Sequence, residues 1–135
     1  MSFIELLKAS LVKCGIIDIN ETPTAEMGVN GLVSLNNLMA DWASDGIDIG
    51  YYPVVNQDDE VPLAASDLRT VIFNFAIELA TDFGVTTSEE VRKIAEETYA
   101  GVCKSSRKTF EADMTALPLA EGLGYGSNWF ATGGP

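Results

Sequence analysis

The sequence contains no histidine, and that absence excludes nucleophiles activated by an imidazole base, the Ser-His and Cys-His arrangements alike. Cysteine is scarce. Cys14 and Cys103 fall at apolar helix positions with no metal-ligand spacing, so both are expected to be reduced structural thiols. Basic residues are few, 8 Lys and Arg against 20 Asp and Glu, for a net charge of −12. Attraction to nucleic-acid phosphates needs clustered Lys and Arg, so nonspecific DNA binding is disfavoured. No apolar run of the roughly 18 residues needed to span a membrane is present. The opening MSFIELLKAS has no basic region ahead of its apolar segment, so export is not expected and an intracellular protein is.

What is present suits one folded domain. The chain has 135 residues, 47% hydrophobic and 21% charged, ordinary proportions for a protein with a single core. Ser2-Phe3-Ile4-Glu5 forms a capping box, and Phe3, Ile4, Leu7, Leu11 and Cys14 then recur at helical spacing up to a stop at Gly15. Thr22-Pro23 is expected to cap and open a second helix, along which Gly28, Leu32, Leu35, Met39 and Trp42 form an inward stripe. Asp45-Gly46 ends it. Ile47, Ile49 and Tyr51 alternate with Asp48 and Gly50 in the two-residue period of a short strand or extended loop, and NQDDEVP follows as a polar, acidic loop.

A third helix runs from about Ala64 to Phe83 and is apolar around most of its circumference, leaving a narrow polar line of Asp67, Thr70, Asn74, Glu78 and Thr81. So oily a helix is expected to need cover from a neighbouring subunit, which makes Val71, Phe73, Phe75 and Ile77, with Tyr99 of the next helix, candidate interface residues. Gly84 ends this helix. Thr87-x-x-Glu90 reads as a capping box opening a fourth helix, expected to run to about Ala112. Lys104, Arg107 and Lys108 gather near its carboxyl end, where they complement the helix dipole. Beyond Asp113 the glycine-rich LPLAEGLGYGSNWFATGGP carries Tyr125, Trp129 and Phe130, large rings that gain most when buried against a partner. The expected fold is therefore all-α: a four-helix bundle over residues 1–112, with a short extended segment around 47–52 and an extended C-terminal arm over 113–135.

Signals for chemistry are weak. Glu89-Glu90, Glu96-Glu97 and Asp58-Asp59-Glu60 read as helix caps and solvated surface, although carboxylate pairs alone can hydrolyse glycosides. The NQDDE loop lacks the spaced ligands of a calcium loop, and GLGYGSN neither follows a strand nor opens a helix as a phosphate loop must. No catalytic residue, metal or cofactor is expected, and Trp42 is read as core.

The run Leu35-x-x-Leu38-Met39-Ala40-Asp41-Trp42-x-x-Asp45-Gly46-Ile47-x-x-Gly50-Tyr51 resembles the helix-to-loop signature of the tail accessory factors of short-tailed bacteriophages, also called packaged-DNA stabilisation or head-to-tail connector proteins. Asn74-Phe75-Ala76-x-x-Leu79-Ala80-x-Asp82-Phe83 is similar to that family's third helix, and ETPTAE is a phrase common among phage head-tail connectors. The resemblance implies a structural virion component at the head-tail junction, assembled in the host cytoplasm as a ring of about twelve copies beneath the portal protein. Such a ring receives a downstream tail protein and retains packaged DNA, which touches it only in passing through the lumen. By position, Asp45, Gly46, Gly50 and Tyr51 would shape the loop beside the bundle. Tyr125, Trp129 and Phe130 are candidate anchors of the arm on the portal, chosen from their physics and from no motif. An acidic lumen would let the genome slide without sticking. Two other readings stay open: an acidic monomeric binding module, either a DNA mimic or an adapter, and a carboxylate-pair cell-wall hydrolase.

Overall fold

The computed structural model describes residues 1–116, with side chains through 106. The fold is all-α, with α1 (Phe3–Lys13), α2 (Ala25–Ser44), α3 (Ala65–Phe83) and α4 (Glu89–Ala116). Two compact units divide the chain, Met1–Cys103 and Lys104–Pro135. In the first, α1 packs chiefly on α3, and α2 covers both. Of the second, the described part is the continuing α4, which remains helical past Ala112 to Ala116.

α1 begins as its sequence dictates. The Ser2 hydroxyl accepts from the Glu5 N–H, and the Glu5 carboxylate accepts from the Ser2 N–H at 2.8 Å. The other free N–H groups of that turn have partners from a distance: Phe3 N–H donates to Asp59 O at 2.9 Å and Ile4 N–H to Gln57 O at 3.1 Å. Val61 N–H in turn donates to Met1 O, and the Met1 ammonium pairs with Glu60 at 2.7 Å. Thus the acidic NQDDE loop, which looks like solvated surface in the sequence, supplies backbone carbonyls to a helix end that would otherwise leave donors unsatisfied. The Ser2–Glu60 bridge is an isolated β-pairing, and no strand is formed among the described residues.

α1, α2 and α3 end in the same way. Gly15, Gly46 and Gly84 have φ of +78°, +87° and +70°, and each is followed by an apolar residue whose N–H reaches five residues back: Ile16 to Leu11 O, Ile47 to Trp42 O, Val85 to Ala80 O. This is the Schellman closure, in which a left-handed residue that glycine adopts without a Cβ penalty satisfies the last carbonyls. The starts of α2 and α4 differ from expectation. Thr24, and not Thr22, caps α2 by accepting from Met27 N–H. Ser88 accepts from Val91 N–H at the start of α4, while the expected cap Thr87 is buried and accepts from Arg92 Nε instead.

The core is continuous from Phe3, Leu6, Leu7 and Leu11 of α1 through Leu35, Met39 and Trp42 of α2 to Val71, Phe75, Ala76 and Leu79 of α3, with Val91, Ala95 and Val102 of α4 joining it. Close approach is explicit at Gly31, where a Cβ would meet Leu7 Cδ1 at 2.7 Å. One expectation is corrected here. Most of the apolar girdle of α3 is covered within the chain itself, where Val71 and Phe75 are 0% exposed and Phe73 is 5% exposed, while Ile72 and Ile77 are half-buried. Because α3 sits centrally, its circumference is covered from several directions at once, and its polar line is used as well. Asn74 Nδ2 donates to Thr70 O at 2.8 Å and to Ala95 O at 3.2 Å, joining α3 to α4.

Candidate functional site

The helix-to-loop corner following α2 is the most constructed irregular part of the molecule. The Schellman turn at Gly46 throws Ile47 back against the end of α2, where it is buried beside Trp42. Asp48 Oδ1 then accepts from Gly50 N–H at 3.1 Å, an Asx turn that reverses the chain a second time, with Gly50 at φ +77°. The following residues are fastened by one side chain. Asn36, midway along α2, donates through Nδ2 to Val54 O at 3.0 Å and accepts through Oδ1 from Val54 N–H at 3.1 Å and from the Tyr51 hydroxyl at 2.6 Å.

An amide that both donates to and accepts from one residue mimics the backbone pairing of a neighbouring strand. The extended segment is therefore anchored to a helix with no strand beside it. Burial pushes the Tyr51 phenol up to about 12, which keeps it protonated and able to donate. Further along, Gln57 lies across α2 at Gly28, where a Cβ would run into the Gln57 amide. The Gln57 amide thus rests directly on the helix backbone at Gly28, a contact that the place of Gly28 in a helical stripe does not reveal.

These turns enclose a depression of about 270 Å³ lined by Met39, Trp42, Gly46, Ile47, Ile49 and Tyr51, with Asp48 at the lining. Tyr99 of α4 packs on Trp42, ring centroids 5.3 Å apart and planes tilted by 58°. The lining supplies shape and apolar area, and its one carboxylate is already engaged with the Gly50 N–H. Packing and docking are the work this arrangement is fitted for.

The residues singled out from the sequence are distributed as follows. Asp45 closes α2 through its backbone N–H and is exposed, and Gly46, Gly50 and Tyr51 lie in the corner just described. Val71, Phe73 and Phe75 are interior and have almost no surface to offer a neighbour, whereas Ile77 and Tyr99 are half-buried. Tyr125, Trp129 and Phe130 lie outside the described residues, as do the side chains of Arg107 and Lys108. Asn36, Asp48 and Gln57 were not singled out. Asn36 carries a signal nonetheless, because asparagine is a poor helix-interior residue and tends to be retained where its amide has a specific partner.

The family model described as the P22 tail accessory factor matches residues 5–129. A comparison with curated proteins finds no match. The matched span takes in α1 from Glu5 onward, the other three helices, the corner after α2 and most of the segment beyond α4, so the chain belongs to the P22 tail accessory factor family, structural proteins of the bacteriophage virion associated with its tail.

Proposed function

We propose that the protein is a head-to-tail connector, an adaptor that forms a ring of about twelve copies beneath the portal, joins head to tail and retains packaged DNA. The observation that carries this reading is the family match over residues 5–129, which includes the tail beyond α4 as well as the bundle. The net charge of −12 is consistent with it, since acidic side chains facing a lumen repel phosphates and let the genome pass. Portal protein and a downstream tail protein are the partners, and Tyr125, Trp129 and Phe130 are the proposed anchors on the portal side.

Light scattering of the protein alone and after mixing with portal rings tests the reading. The expected outcome is a defined complex with the portal; a chain that stays separate from the portal at every ratio overturns it. Truncation after Leu117 is expected to abolish joining while helical content measured by circular dichroism stays nearly intact, because the removed residues contribute contacts to the partner.

A further inference from the structure

The chain carries 8 basic residues against 20 acidic ones, yet its basic groups are not scattered. Lys13 Nζ lies 5.1 Å and the Arg69 guanidinium 5.0 Å from the centroid of the same ring, Phe73. Lys8 and Lys13 of α1, with Glu5, Ala9, Val12 and Ile19, line an open depression of about 320 Å³. Ile19 is 67% exposed. None of these three cations forms an ion pair among the described residues, where the one salt bridge joins Met1 to Glu60. Lys13 lies in the last turn of α1 and complements its dipole. That, with the Phe73 ring, accounts for the positions of Lys13 and Arg69 within the chain and leaves Lys8 with no ion-pair partner among the described residues.

A patch of opposite character lies across α3. Glu78 stands beside Asp82 of its own helix and Asp41 of α2, and burial together with these two carboxylates raises its pKa above the ordinary range. Ser34 Oγ donates to Asp82 at 2.6 Å, which ties the two helices together there. Exposed apolar side chains flank that bond in sequence: Val33, Phe83 and Val85 are 57%, 38% and 40% exposed. From Arg69 to Glu78 the helix advances nine residues, a rotation that returns to about 180° at roughly 100° per residue. The basic and acidic patches therefore project from opposite sides of one rigid helix.

We infer that the basic, apolar-lined patch of Lys8, Lys13, Arg69 and Ile19 on one copy receives the acidic patch of Asp41, Glu78 and Asp82 on the next. Contact of either patch with its own twin would oppose like charges, which excludes a two-fold dimer through these faces. Contact of one with the other is attractive and leaves a free patch of each kind at the two ends. Such head-to-tail contacts propagate and close as a ring when the rotation per copy divides the circle. The apolar residues beside each patch supply area, and the charges set which face meets which. The inference deepens the connector reading and rests on it.

Sedimentation velocity over a concentration series, with circular dichroism to check folding, tests it using two charge-reversed proteins. One is Lys13→Glu/Arg69→Glu; the other is Asp41→Lys/Glu78→Lys, which spares the Ser34–Asp82 bond. The parent is expected to associate at low salt and dissociate as salt rises, and each variant alone to sediment as a single chain. An equimolar mixture of the two is expected to recover association, because each reversed face then meets its complement. Either variant associating like the parent, or a mixture that stays monomeric, overturns the inference. So does loss of association on truncation after Leu117 combined with no effect of the reversals, which would make the C-terminal segment the occupant of the groove. If the parent associates only on portal rings, the same comparison is read as copies retained per ring. Variants retained as well as the parent then sink this interface alone, whereas a parent that never joins the portal sinks the connector reading.

Discussion

The α1–α3 seam and the segment from Gly46 to Glu60 both lie against α2, and they are held by different physics. Across the seam, Phe3, Leu6, Leu7, Leu11, Val71 and Phe75 bury apolar area with no hydrogen bond between the two helices among the described residues, so stability is spread over many contacts. The loop segment buries Ile47 and Val54 and is otherwise held by a few placed hydrogen bonds: Asn36 to Val54 and Tyr51, and Gln57 and Asp59 carbonyls to the first turn of α1. A distributed interface fails as a whole, and a pinned loop fails at its pin.

The largest expected effect breaks the seam. Phe75→Ala empties a fully buried ring site in the central helix and is expected to cost about 3–5 kcal/mol, lowering the whole cooperative transition in urea unfolding. Asn36→Ala removes three hydrogen bonds from the loop and leaves both backbone groups of Val54 short of a partner, an expected loss of about 1–3 kcal/mol. Hydrogen exchange distinguishes the two. The Val54 amide should exchange much faster in Asn36→Ala while the core amides of α1 and α3 stay protected, and in Phe75→Ala all should quicken together. Global loss of protection in Asn36→Ala would show that the loop and the seam are one cooperative unit.

What could be read in advance follows the same division. Helix ends governed by local side-chain chemistry were legible: the Ser2–Glu5 box and the glycine stops at Gly15, Gly46 and Gly84. Ends decided by tertiary context were not. Thr22 and Thr24 are equally able caps, and Ser88 replaces Thr87 because Thr87 is drawn into the interior. Alternation at Ile47, Ile49 and Tyr51 reported one-sided burial against a helix, which gives the same two-residue pattern as a strand. The NQDDE loop acts through main-chain carbonyls, which no side-chain pattern displays. The burial of Val71, Phe73 and Phe75 within one chain has a geometric reason: composition measures how much cover a helix needs, and only packing shows that a central helix receives it from several sides. The helix-to-loop motif around Trp42 encodes a stop, an Asx turn and an anchoring tyrosine, and it lies within the span that the family model matches.

The smallest expected effect concerns the contact of α2 with α3, which places Asp41, Glu78 and Asp82 together. Burial first, then the two neighbouring carboxylates, raise the Glu78 pKa above its unfolded value, so the folded chain holds a proton there that the unfolded chain has already released. In the pH window between those two values the unfolded state binds fewer protons. Stability contributed by this group therefore falls as pH rises through the window and stays reduced at neutral pH. Glu78→Gln removes the charge and is expected to stabilise the isolated chain at pH 7 by roughly half a kcal/mol or less, since solvent screens so open a group. Thermal unfolding of parent and variant across the carboxylate titration range checks the sign: the variant's advantage should shrink as the solution is acidified and Glu78 becomes neutral in the parent. An advantage that is constant across that range would mean that Gln packs better and that the like charges cost nothing.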